Sequence, residues 1–424
     1  MVAGGHIVLV ERLARAMASA RARGDNKTFE RLKRWHLYLY LHERYASLRS
    51  PRVRYHSSHF GGVKSFWATV RSKGIPAMFM RFLGFPPNLF YAIADAMRPH
   101  LAPYDRELHV SVAGKRTRLD HVDVTAVTLR RLQIGGPTLR FLEQDFAVVA
   151  SVLSGAGKVI DLGRRALFAV MTGGTLSAAR ICYPSLQEGH LMWEGLCKQL
   201  GYPKYEWGGC LILLMDGTVT PLKNVSNDAL NKLFYGAKGT VQNHVFVVDV
   251  AGHIVDYHIG LPGCMHDQSV APPCVANHQD PAVNPHKWGM IVDSGFKGSC
   301  TNTPPVIFRP LVSEKVDAAH IEFYEECSRY FTRIRQYNEH INGAIKRSFI
   351  YLNAPILLSQ RSQFNMDLIS CLHLFNYRTR TIGFNQCRTA IMPHVDANFR
   401  HMLEAGGNLD KYLALCDEYL RDAL

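Results

Sequence analysis

The sequence predicts a mixed α/β protein in which a mostly helical N-terminal region precedes a sheet-bearing domain. Three observations lead there. Residues 76–180 carry apolar side chains at helical spacing. From about residue 208 the texture changes to short apolar runs closed by acids and turn residues. A long helical stretch then runs from about Ala318 to Phe349. The chain has 424 residues, enough for two or three domains at about 150 residues each. Its 47% hydrophobic and 20% charged residues can bury large cores, which excludes a wholly disordered protein.

Charge is concentrated at the start. The net charge is +14, and residues 1–60 hold twelve Lys and Arg against four Asp and Glu, a net +8. A polyanion such as nucleic acid is the natural partner for such a balance; a basic enzyme surface is the other reading. Apolar and aromatic residues interleave between Phe29 and Tyr45, which predicts a helical arm that lies on phosphates or stays solvated. The ten cysteines form no CxxC pair, so neither a zinc ribbon nor a redox pair is indicated, and reduced core thiols are expected. The run IVLV (7–10) is too short for a signal-peptide core. No stretch approaches the roughly 18–20 apolar residues of a membrane span. These features lead to the expectation of a soluble cytosolic or nuclear protein.

The helical region reads in order. LFYAIADAMRPHL (89–101) has helical spacing, and VTAVTLRRLQIGG (124–136) ends in a glycine pair that stops a helix. TLRFLEQDF (138–146) follows, then another helix within 147–168. Helix, short turn, helix with nearby arginines is compatible with a helix-turn-helix, as it is with any helical bundle. CLILLMD (210–216) then predicts a buried strand ending in an acid. HVFVVDV (244–250) and HIVDYHI (253–259) predict paired strands around a two-residue turn, Ala251-Gly252. GMIVDSG (289–295) predicts a fourth strand ending in an acid, and PVIFRPL (305–311) a short fifth.

That order is the chain order of an RNase H-like fold. The first strand sits centrally there and the fourth joins it in parallel, so two strand-end acids share one edge. Asp216 and Asp293 take those places, and Glu339 lies mid-way along the long helix that packs beside them. Three carboxylates at one point repel one another, and hard divalent cations relieve that repulsion. Two ions about 3.5–4 Å apart suit in-line phosphodiester cleavage. Taken singly each acid has a plainer reading: Asp-Gly and Asp-Ser make turns, and a helical Glu faces solvent. Glu322, Glu325 and Glu326 are compositional rivals for the third acid. Arg335, Lys346 and Arg347 share the Glu339 helix and would contact phosphate or form a solvated basic face. Asp249, His266 and Asp267 read as structural, Asp267 as a helix cap. Trp207 and Trp288 read as core.

Four ordered blocks carry a resemblance to the PIF/Harbinger DDE transposases and the Harbinger transposase-derived nuclease-like proteins. MDGTVTPL (215–222) resembles the first-aspartate motif, and residues 234–267 resemble the next block, with its Tyr, Lys-Gly, Pro-Gly and His-Asp. DSGF (293–296) resembles the second-aspartate motif. Arg335, Glu339, Gly343, Lys346 and Phe349 fall in register with the family's helix motif, and CLHLFNYRTR (371–380) is a looser match. Val219, Phe296 and Cys264-Met265 depart from the usual pattern without removing an acid. The resemblance implies Asp216, Asp293 and Glu339 as catalytic and metal-binding residues, with two Mg²⁺ or Mn²⁺ ions. It implies DNA cleavage and strand transfer, a homo-oligomer on DNA, a Myb-like accessory protein, and a nuclear place of action reached from the cytoplasm. The alternative is a domesticated DNA-binding regulatory protein without catalysis. The expected division is a basic helical arm (1–75), a helical DNA-binding region (76–185), an RNase H-like catalytic domain (205–385) and a helical tail (386–424).

Overall fold

Proline, glycine and short polar caps punctuate the first helices. Ser65 caps helix α1 (Phe66–Lys73) by accepting from the Ala68 amide, and Gly74 closes it at a positive φ of 62°. Pro76 and Pro87 start α2 (Pro76–Leu83) and α3 (Pro87–Leu101), where a missing amide hydrogen costs nothing. A hairpin, β1 (His109–Val112) and β2 (Lys115–Arg118), leads to α4 (His121–Gln133). Asp120 and Asp123 form a reciprocal capping box there. Arg71 grips both carboxylates, and the Trp67 indole donates to Asp123 at 2.9 Å, which ties α1 to the start of α4.

The computed structural model describes residues 65–112, 115–134, 138–146, 148, 150–200, 211–223, 228–236, 238–299, 305, 307–308 and 321–382. All lie in one unit, Lys64–Leu424. The basic arm up to residue 64, Trp207 and the 386–424 tail lie outside the described residues, as do the side chains of Glu322, Glu326 and Arg335.

Helices α5 (Thr138–Phe146), α6 (Ala150–Leu153), α7 (Val159–Thr172) and α8 (Leu186–Leu200) complete the first part. A buried methyl-rich stripe brings α7 against α4 so closely that a Cβ on Gly163 would stand 2.0 Å from Thr128 Oγ1. α7 is buried over most of its length, with Arg164 held by Asp367 and Arg165 by Asp161. Arg164 is committed within the fold, while Arg165 stays exposed and pairs along its own helix.

The sheet follows from the alternation and apolar runs seen in the sequence. β3 (Leu211–Pro221) is central. Helix α9 (Asp228–Phe234) and β4 (Tyr235–Gly236) precede β5 (Gly239–Asp249), which pairs antiparallel with β3. β6 (Ile254–Pro262) pairs antiparallel with β5. After α10 (Asp267–Val270) and α11 (Pro272–Gln279), β7 (Gly289–Val292) pairs parallel with β3 on its other side. β8 (Ile307–Phe308) pairs parallel with β7. The order across the sheet is therefore β6-β5-β3-β7-β8, with β4 on the end of β5.

Two helices cover this sheet: α12 (Ile321–Ser348), which packs on β3 and β7, and α13 (Arg361–Ile382), which packs on β6, α7 and α12.

Two strand ends differ from expectation. β3 does not stop at Asp216 but runs to Pro221, because β5 continues to pair with it as far as Val241. The β5–β6 loop holds three residues between Asp249 and His253, which bond through Asp249 N and His253 O. Gly252 takes a φ of 89° there, as a three-residue loop requires. Asp249 is fully buried and accepts from both His253 N and His253 Nδ1, so it closes this loop.

Two polar clusters fasten α13, one to the first part and one to β6. Asp367 accepts from Arg131 and Arg164, each at 2.9 Å, and all three are buried. Burial is the largest single influence and alone would loosen the Arg131 proton; the Asp367 charge and hydrogen bond, with Tyr351 and Cys371, together outweigh it, so the shift is upward. Asn376 donates to Ile254 O and accepts from Ile254 N, replacing a strand partner at the start of β6.

Candidate active site

Asp216 and Asp293 are brought together by strand register. The last parallel pair of β3 and β7 is Met215 with Val292. Asp216 and Asp293 are the next residue on each strand. Neighbouring strands run about 4.8 Å apart, so the two residues reach the same sheet edge as backbone neighbours. Both residues are half-buried. Beyond this point the strands separate. Asp216 continues in the ladder opposite Phe246, while the Asp293 carbonyl accepts from Phe296 N as the chain turns. Phe296 is fully buried, which suits an apolar ring at the position where the resembling motif carries Tyr.

Helix α12 lies over this edge, and its contact residue is Asn342. The Asn342 amide Nδ2 donates to Asp216 Oδ2 at 3.3 Å, while Gly217 N donates to Asp216 Oδ1 at 2.7 Å. Asn342 Oδ1 is buried without a hydrogen-bond partner. Glu339 stands three residues earlier, on the same helix face by the i,i+3 rule, and is exposed. Sequence reasoning singled out Glu339 and missed Asn342; the available signal was that same spacing. Glu325 is exposed nearly five helical turns before Asn342, the Asp216 contact.

One turn further along α12, Lys346 Nζ donates to Val219 O at 3.1 Å. Burial lowers the Lys346 proton affinity, and Lys238 nearby adds to that. Arg347 is exposed and folds back over Gly343. Beneath this stretch, Gly260 N donates to His244 Nδ1 at 3.1 Å, leaving Nε2–H for Thr220 Oγ1 at 3.0 Å. Burial, with Lys346 and Arg361 adding, pushes His244 down to about 3, so it is a neutral spacer. Trp288 is buried, with its indole donating to Pro184 O. His266 is exposed, and its carbonyl accepts from Val270 N at the start of α10. The Asp267 side chain lies outside the described residues.

The donor set suits a hard divalent cation: paired carboxylates and a buried carbonyl oxygen without a partner. Among the described residues no three His, Cys, Asp or Glu side chains converge closely enough to hold a metal ion. Asp216 and Asp293 with Asn342 Oδ1 are the residues that could hold one. No described helix is long and apolar enough to cross a membrane.

The site is thus an acid pair at the end of a central parallel strand pair, under a helix with a basic end. Residues 215–376 match the family described as DDE superfamily endonuclease, a stretch that contains Asp216, Asp293 and Glu339. This match supports a DDE transposase-like relationship and a transposase-like nuclease function for that stretch. No curated protein and no solved structure matches the chain.

Proposed function

We propose that this chain is a PIF/Harbinger-type DDE transposase, or a nuclease derived from one, that cleaves DNA phosphodiester bonds with divalent metal ions and transfers strands. The observation that carries this reading is the placement of Asp216 and Asp293 one residue beyond the paired ends of parallel strands β3 and β7. The sheet order and the helix over the acid edge favour the RNase H-like reading. The family match favours catalysis over the regulatory alternative.

Asp216 and Asp293 hold and orient the reacting phosphate's counter-charge at one edge. Glu339, exposed on the α12 face that carries Asn342, is proposed as the third acid. Asn342 holds Asp216 through Nδ2, and its buried Oδ1 has no hydrogen-bond partner. When bound, divalent ions supply an activated water and charge stabilisation for the leaving oxygen. Arg335, Lys346 and Arg347 are proposed to face DNA from the same helix. A homo-oligomer on DNA, a Myb-like accessory protein and a nuclear place of action follow from the same reading.

The test uses the full chain, duplex DNA carrying candidate element ends, and Mg²⁺ or Mn²⁺. Asp216→Asn and Asp293→Asn should each abolish cleavage while DNA affinity holds or rises, since a negative charge near phosphate is lost. Full cleavage by either variant overturns the assignment. DNA binding without cleavage by the unmodified chain favours the regulatory alternative, and a strand-transfer assay separates nuclease from transposase.

A further inference from the structure

The hairpin past the end of β3 carries side chains that the fold does not use. β4 and β5 turn between Gly236 and Gly239, with Gly239 at a φ of 88°. Lys238 at the turn is exposed, and no carboxylate pairs with it or with Lys346 among the described residues. Tyr235 is 63% exposed, the most open large hydrophobic side chain among the described residues. Its neighbours Leu230 and Leu233 are also exposed. A tyrosine ring this exposed has no packing role to explain it.

Position links this hairpin to the acids. Lys346 Nζ sits at Val219 O, three residues along β3 from Asp216. At about 3.3 Å per strand residue that is roughly 10 Å. The Leu222 amide donates to Thr240 O, and Thr240 pairs with Tyr235, so the hairpin continues the same line past the end of β3. A DNA strand rises about 3.4 Å per nucleotide, so Lys346 falls about three nucleotide steps from the acid pair and the hairpin a few steps further.

We infer that the hairpin Tyr235–Thr240 and Lys346 form a subsite for the DNA strand leaving the acid pair, with Lys238 and Lys346 on backbone phosphate and Tyr235 stacking an unpaired base. This rests on DNA being the substrate of the proposed site. Neither lysine has a carboxylate partner among the described residues, and a phosphate would supply that counter-charge; the Lys238 influence on Lys346 is consistent with a shared site. A tyrosine face takes any base, so the subsite sets strand position rather than sequence.

The experiment compares the full chain with Lys238→Ala, Lys238→Glu and Tyr235→Ala. DNA with a single-stranded overhang and blunt duplex are each titrated by fluorescence anisotropy over a range of salt. The substituted residues are exposed, and thermal unfolding checks that the variants fold as the parent does. Lys238→Ala should weaken binding and reduce the log–log salt slope by about one phosphate contact. Lys238→Glu should weaken it further. Tyr235→Ala should weaken overhang binding roughly tenfold to a hundredfold and blunt-duplex binding much less. Unchanged affinity and slope in the Lys238 variants, or equal effects of Tyr235→Ala on both DNAs, overturns the subsite. Cleavage by the parent chain is scored separately: weakened binding in the variants of a chain that does not cut sustains the subsite and sinks the nuclease reading.

Discussion

Asn342→Asp tests the acid edge through stability rather than activity. The change puts a third carboxylate where an amide now donates to Asp216 at 3.3 Å. Two unit charges at that separation repel by about 5 kcal/mol at an effective dielectric near 20. Proton uptake limits the cost. An aspartate near pKa 3.9 can be held neutral at pH 7 for roughly 4 kcal/mol. The neutral carboxyl can donate in place of the lost amide, and solvent at this half-buried site screens part of the repulsion. The expected loss is therefore about 2–4 kcal/mol in chelator, a melting temperature lower by several degrees at roughly 2–4 °C per kcal/mol. A divalent ion bound among Asp216, Asp293 and the new carboxylate would stabilise the variant more than the parent. Thermal unfolding in EDTA and in millimolar Mn²⁺, for both proteins, reads the difference. A variant as stable as the parent in EDTA means residue 342 does not face Asp216. A variant destabilised equally with and without Mn²⁺ means the edge does not gather cations.

Asp367→Ala should lose about 3–5 kcal/mol, because Arg131 and Arg164 would be left buried without their carboxylate. Urea unfolding measures it, and a loss under about 1 kcal/mol would show the triad to be already solvated. His244 sets a pH dependence. Its folded value of about 3 lies below its ordinary 6.5, so its neutral form contributes stability above pH 6.5 that is lost as pH falls towards 3. The slope is at most about 1.4 kcal/mol per pH unit. His244→Gln should flatten the fall in stability between pH 6.5 and 4.5, and equal slopes for both proteins would remove His244 as its cause.

Local chemistry decided what could be read from one dimension. The helix over residues 138–146, the apolar strands after residue 210 and their order were legible because period and turn residues are properties of neighbours. Asp216 and Asp293 stood out because each follows an apolar run, and the parallel register of β3 and β7 then set them side by side. The end of β3 was misread because Asp-Gly signals a turn, whereas β5 holds the strand extended to Pro221. Asn342 was missed because an amide carries no catalytic signature until its partner is known. Only the tertiary structure could join Arg131, Arg164 and Asp367, or lay Asn376 against β6, since those partners lie 236, 203 and 122 residues apart. The sequence by itself determined which faces are apolar and where elements begin. Which charged and polar groups meet was decided by packing, because burial makes an unpaired charge costly and so selects partners without regard to distance along the chain.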